Sequence, residues 1–111
     1  MSLINWEQFE LIELRTGTII RAEEFPGAKK PAYQLWIDFG EYGIKKSSAQ
    51  ITAFYTINEL IGKQIIGVIN FPPKKIADFV SECLVTGIVT SDGKCVLLQP
   101  ERKVADGLKV C

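Results

Sequence analysis

Gln64-Ile65-Ile66-Gly67-Val68-Ile69-Asn70-Phe71, then Pro72-Pro73-Lys74-Lys75-Ile76-Ala77-Asp78-Phe79-Val80, then Ser81-Glu82-Cys83-Leu84-Val85-Thr86-Gly87-Ile88-Val89-Thr90 run without interruption through the second half of the chain. Two β-branched apolar runs, Gln64–Phe71 and Glu82–Thr90, read as buried strands. The segment between them is excluded from a sheet interior, because Pro72-Pro73 removes two backbone donors. The first run ends in an amide, Asn70, and the second opens with Ser81-Glu82. An amide, a hydroxyl and a carboxylate therefore stand where two strands leave the core, with Lys74-Lys75 on the loop between. That arrangement suits a binding rim better than a catalytic centre.

Outward from this stretch the pattern stays short-stranded. Phe54–Gly62 reads as a short helix closed by Gly62. Ile44–Ile51 is a polar strand with Lys46, Ser48 and Gln50 on one face and Lys45, Ser47 and Ala49 on the other, so at least one face is wet. Gly40–Gly43 is a hairpin-like turn. Tyr33–Phe39 alternates, with Tyr33, Leu35, Ile37 and Phe39 facing the core and Gln34, Trp36 and Asp38 facing out. An outward Trp36 is either covered by another element or part of a binding surface. Glu13–Glu24 is the first strand, with Gly17 as a bend or bulge and Phe25-Pro26-Gly27 as its break. Asn5–Glu10 is a short helix with Asn5 as cap and Gln8 completing a capping box. Too short to stand alone, it must pack Trp6 and Phe9 on the barrel or on a second subunit. Toward the C-terminus, Ser91-Asp92-Gly93-Lys94 turns the chain into Cys95–Leu98. The tail from Pro100 is polar except at Leu108 and Val110.

Five short strands with one helix between the third and fourth is the order of an OB-fold, an all-β five-stranded Greek-key barrel. Here it carries an N-terminal helix and a C-terminal hairpin. The expectation is one domain over residues 1–111, its core beginning near residue 8.

At 111 residues, 47% apolar and 23% charged, the chain can bury a core without disulfides or metal. No apolar run reaches the roughly 18–20 residues of a membrane span, and Met1–Glu7 does not read as a signal peptide. A cytoplasmic protein is expected. There is no histidine, which removes Ser-His-Asp and Cys-His sites and the usual zinc ligand sets. Cys83 and Cys95 lie in apolar runs and read as buried, inert thiols. Net charge is zero but unevenly placed: residues 1–26 hold five acids and two arginines, and residues 27–80 hold seven lysines and four acids. Six of those lysines come in pairs, Lys29-Lys30, Lys45-Lys46 and Lys74-Lys75. As isolated pairs they are solvated surface; converging on one rim they would form an anion-binding surface.

Arg15-Thr16-Gly17-Thr18-Ile19, Ser48-Ala49-Gln50-Ile51-Thr52, Tyr55 through Leu60-Ile61-Gly62-Lys63, Asn70-Phe71-Pro72-Pro73-Lys74-Lys75-Ile76 and Ser81-Glu82 resemble the tRNA-binding domain of the endothelial-monocyte-activating polypeptide II type. That OB-fold module occurs as a free bacterial protein and appended to several tRNA synthetases. With Ala22–Pro26, Ile37–Gly40 and Val96–Pro100 added, the blocks look most like the CsaA-type branch of small export-associated chaperones. The resemblance covers nearly the whole chain. It departs from tRNA-binding members at Ala49-Gln50, at Cys83-Leu84, and at Asp78, which stands where a glycine is usual and lowers the positive field beside Lys74-Lys75.

The resemblance implies a homodimer joined through the N-terminal helix and C-terminal strand, with Trp6, Phe9, Leu108 and Val110 at the contact. These four could otherwise cover the open end of the barrel. It also implies a non-enzymatic binding protein that takes up unfolded or extended segments of secretory precursors, with Trp36, Phe71 and Phe79 as groove walls. Phe71 could instead be core. The alternative ligand is tRNA, with Lys45, Lys46, Lys74 and Lys75 on phosphates and Asn70, Ser81 and Glu82 on base or ribose. Those last three could equally be scaffold, capping strand ends and a turn. Ser47 and Ser48 beside Lys46 give little support for a Ser-Lys nucleophile, since Lys46 sits on a polar strand next to another lysine. No enzyme, cofactor or metal is expected, and no membrane insertion.

Overall fold

The computed structural model describes residues 1–111. Its elements, in order, are α1 (Trp6–Glu10), β1 (Leu14–Glu24), β2 (Tyr33–Asp38), a 3-10 turn (Gly40–Tyr42), β3 (Ile44–Ala49), α2 (Ile57–Leu60), β4 (Gln64–Val68), β5 (Lys74–Ile76), β6 (Phe79–Ser81), β7 (Leu84–Val85), β8 (Gly87–Val89) and β9 (Cys95–Leu97). Strands β3-β2-β1-β4-β7 form one antiparallel sheet in that order. The sheet curls into a nearly closed OB-like barrel.

Alternation along β2 places Tyr33, Leu35 and Ile37 inside, followed by Phe39. From β1, Ile19 and Ala22 also point in. Three positions apart, they share a face only because the register slips between Ile19 and Arg21. The bulge is therefore at Ile20, and not at Gly17 as the sequence suggested. Gly17 has a different task. A Cβ there would stand 2.7 Å from both Ile37 and the Phe39 ring, and one at Gly67 would stand 2.9 Å from the same ring. The two glycines, on paired strands, leave the slot that Phe39 fills. Leu60, from the helix α2, is fully buried and joins the same core. Thr56 and Glu59 form a reciprocal capping box at the start of α2, and Gly62 follows it with φ of +87°.

Strand β3 closes the barrel against residues 81–83, largely through side chains. The Glu82 N–H donates to the Lys46 carbonyl at 2.7 Å, and the Lys46 N–H donates to the Glu82 carboxylate at 3.0 Å. The buried Ser47 hydroxyl donates to the Cys83 carbonyl at 3.0 Å. Of the two faces of β3, the one bearing Ser47 and Ala49 is the inner face.

Three expectations for the stretch from Gln64 to Thr90 need correction. Lys74 and Lys75 are not in a loop: β5 pairs with β6, Lys74 opposite Ser81 and Lys75 opposite Val80. The prolines exclude pairing only at their own positions, and the ladder starts one residue later. The apolar run Glu82–Thr90 is not one strand either. The Thr86 N–H and hydroxyl both donate to the Ile66 carbonyl, at 3.1 and 2.8 Å, and the chain then leaves β4 to pair with β9. Gly87 permits this crossing, since a Cβ there would fall 2.3 Å from the Cys95 sulfur. The fourth strand also stops at Val68, short of Phe71.

The C-terminal tail completes the sheet. The second half of β1 pairs with β2 and its first half with β4, which leaves the β2-side edge of Leu14–Thr16 free. Residues 107–110 fill it: the Gly107 N–H donates to Thr16, the Thr16 N–H to Leu108 and the Val110 N–H to Leu14. No helix is long and apolar enough to cross a membrane.

Candidate binding groove

The β5–β6 hairpin is an insertion between β4 and β7, and one aromatic residue anchors it. Phe79 is buried against Phe25 (ring centroids 5.5 Å apart) and meets Trp36 edge-on at 5.8 Å, with Ala32 and Ile76 alongside. Trp36 thus lies on the outer face as the alternation required, and the element that covers it is the hairpin. The Arg21 guanidinium caps the Trp36 ring at 4.2 Å, and the Lys46 ammonium lies 5.3 Å from the centre of the Phe79 ring. Burial takes Phe79 out of the set of exposed groove walls. It holds the hairpin in place and offers no face to a ligand.

This anchoring brings the loop 25–32 against the hairpin tip. Gly27 lies so near that a Cβ on it would be 3.5 Å from the Ala77 methyl. Between loop and hairpin runs an open groove of about 550 Å³ whose lining includes Lys29, Lys30, Lys74, Lys75, Ser48 and Gln50. A second concavity of about 370 Å³ shares Ser48, Lys74 and Ile76 with it and opens onto Phe71, Pro72 and Leu84. The two form one trough, cationic at one end and apolar at the other. Phe71 is 54% exposed there, so it is not core. Two of the three lysine pairs do converge, and none of the four lysines is in an ion pair. No carboxylate lines the trough. Asp78, at the exposed hairpin tip, is outside the lining.

All three members of the amide–hydroxyl–carboxylate trio are hydrogen-bonded within the scaffold, and Ser81 alone of them also lines the trough. The Asn70 side chain accepts from the Glu13 N–H at 3.0 Å and donates to the Leu11 carbonyl at 2.6 Å. The Ser81 hydroxyl accepts from the Ser48 N–H at 3.4 Å and donates to the Cys83 carbonyl at 3.2 Å. Glu82 is held by the Lys46 N–H, as above. Lys45 and Lys46 are half-buried and diverge, since adjacent strand residues take opposite faces. Ser48, Ile76 and Leu84 line the trough without having been proposed for it from the sequence, and Lys29-Lys30 were visible there only as one of three lysine pairs.

Burial governs the thiol beneath the groove. Loss of solvation pushes Cys83 up to about 12, against a smaller opposing effect of the Ser47 hydroxyl. A thiol held protonated at neutral pH is no nucleophile.

A second, separate surface lies at the other end. Trp6 (74% exposed) and Phe9 meet edge-on at 6.3 Å and, with Val110 and Cys111, line an open apolar concavity of about 540 Å³. Leu108 is exposed nearby on the tail. Helix α1 has the reciprocal Asn5–Gln8 capping box and no buried residue. It is tied on by Asn70 and by Lys109, which donates to the Glu10 carbonyl and pairs with Glu13, each at 3.0 Å. Glu13 also pairs with Arg15 at 2.6 Å. The hydrogen bonds from Arg15 and then Lys109 hold the Glu13 carboxyl below the usual carboxylate range.

The chain is thus an OB-like barrel with an inserted hairpin and a trough that is cationic at one end and apolar at the other. A family model described as "Putative tRNA binding domain" matches residues 14–109, and the chain belongs to that family. Among solved structures it is similar to the chaperone CsaA of Bacillus anthracis str. Ames, with 51% identity and a TM-score of 0.94, over 99% of this chain and 100% of that one. It is also similar to the CsaA chaperone protein of Picrophilus torridus, with 48% identity and a TM-score of 0.92, over 98% and 100% of the two chains. Within the family the chain thus stands with the CsaA chaperones. It is also 36% identical over its whole length to the methionine–tRNA ligase of Methanococcus aeolicus, of which it spans 16%.

Proposed function

We propose that this protein binds extended, unfolded segments of polypeptides in the trough between loop 25–32 and the β5–β6 hairpin, as an export-related chaperone acting on secretory precursors. It acts in the cytoplasm, without catalysis and without a cofactor. The observation that carries the reading is the trough itself: an exposed Phe71, Pro72 and Leu84 floor continuous with a lysine rim. Apolar side chains of an unfolded segment would be desolvated on the floor while its backbone and polar groups stay at the wet rim. The likeness to CsaA chaperones over the full chain supports it. The Trp6–Phe9 surface, with Leu108 and Val110, would join two copies into a homodimer.

A second reading, binding of tRNA, is favoured by the family match and by four unpaired lysines on one trough. Phosphate contacts by Lys29, Lys30, Lys74 and Lys75 would supply it. Of the trio, Ser81 lines the trough and could add a contact, whereas Asn70 and Glu82 lie outside its lining and are hydrogen-bonded within the scaffold. Fluorescence anisotropy with a labelled precursor segment and with bulk tRNA, at two salt concentrations, separates the readings. Peptide binding that depends on salt far less steeply than tRNA binding would, and that falls about tenfold in Phe71→Ala, is the outcome expected. Tight tRNA binding with a steep salt dependence, beside no peptide binding, would move the function to RNA.

A further inference from the structure

Resting on the peptide-binding reading, we infer that the trough selects segments in which a run of acidic residues adjoins a run of apolar ones. One half is lined by Lys29, Lys30, Lys74 and Lys75 with no carboxylate among them, and the other half by Phe71, Pro72 and Leu84. Ser48, Lys74 and Ile76 belong to both halves, so one extended chain can reach both.

Elsewhere on the molecule Lys45, Lys46, Lys63 and Lys103 are also in no ion pair, but they are not gathered on one concave surface with the trough lysines, and the other cations are neutralised. Arg15, Arg21, Lys94, Arg102 and Lys109 are all paired with a neighbouring carboxylate. The four lysines of the trough are not, although two carboxylates are close in the chain. Glu82 is turned onto the Lys46 backbone N–H, and Asp78 is at the hairpin tip, outside the lining. Four like charges facing one groove repel each other and would be relieved by an anionic ligand. The apolar half supplies no such preference, so the two halves ask for two kinds of side chain on one strand. A basic segment would add like charge to the rim and be rejected there, which gives selectivity by repulsion as well as by attraction.

The test uses three labelled unstructured peptides with one common apolar half. In the first the other half is Asp/Glu-rich, in the second Asn/Gln-rich, and in the third Lys-rich. Binding to the full chain is measured by anisotropy at low and at high salt. At low salt the acidic peptide is expected to bind at least tenfold tighter than the neutral one, with the basic one weakest, and the gap should close as salt rises. In Lys29→Gln/Lys30→Gln the gap should shrink, and in Lys29→Glu/Lys30→Glu the order should reverse; both sites are exposed loop positions. Equal binding of the three peptides, or preference for the basic one, overturns the selectivity and leaves peptide binding standing. Failure of all three to bind, with folding confirmed by circular dichroism, overturns the peptide-binding reading as well.

Discussion

Ala77 holds the most strained backbone in the chain, the one non-glycine residue with a left-handed φ, at +54°. It occupies the tip of the two-residue turn between β5 and β6, where such a φ is needed and a Cβ is penalised by about 1–2 kcal/mol. Ala77→Gly removes that penalty but adds freedom to the unfolded chain, which returns about 0.4–1 kcal/mol. The net prediction is a gain of about 0.5–1 kcal/mol in urea unfolding; a loss would mean that the turn is not strained. Cys83 makes a second prediction at this scale. Its thiol ionises near 9 when free and near 12 in the fold, so above pH 9 the unfolded chain releases this proton first. Stability should be insensitive to this thiol below pH 9 and should fall as pH rises from 9 toward 12. Cys83→Ala should flatten that decline, and an unchanged slope would contradict the assignment. Burial of Cys83 was legible in the sequence, because an apolar run around a thiol is a local signal. The fates of Asn70, Ser81 and Glu82 were not. Their partners at Glu13, Leu11, Ser48 and Lys46 are 33 to 59 positions away, and no spacing rule reaches across that distance.

Among the elements, the β5–β6 hairpin matters most for the groove and was the least legible. Strands β1 to β3 could be read because six or more residues of alternation declare a period. The three-residue strands β5 and β6 declare none, and Pro72-Pro73 masks the first of them. The break at Thr86 was equally hidden, since a run of β-branched residues reads the same whether it stays in one ladder or changes partners. The hairpin's attachment through Phe79 yields a clear expectation. Truncating a buried phenylalanine costs about 3–5 kcal/mol in a main core, but this cluster lies beside the barrel core and not within it. Phe79→Ala should therefore lower the melting temperature modestly, speed trypsin cleavage after Lys74 and Lys75, and abolish groove binding although Phe79 touches no ligand. A variant that resists trypsin as well as the parent would show that the hairpin is held in some other way.

For the whole molecule, the barrel order and the amphipathic ends were legible and the assignment of faces was not. Five strands with a helix between the third and fourth gave the OB order. Which lysines share a trough depended on a loop and a hairpin meeting through Gly27 and Ala77. The molecule has two open concave surfaces, the trough and the Trp6–Phe9 concavity, and they are built from different residues. They should therefore separate on mutation. Trp6→Ala with Phe9→Ala should convert a dimer to a monomer in sedimentation velocity while leaving the fold intact; an unchanged sedimentation coefficient would exclude that surface as the joint. The central claim concerns where a ligand binds, and amide chemical-shift mapping of the 15N-labelled protein with an unfolded precursor segment tests it most directly. The account predicts perturbations confined to residues 27–32, Ser48 and residues 71–84. Perturbations confined instead to the polar cleft around Lys63, Gln64 and Arg102, with none at Phe71 or Lys74, would contradict it.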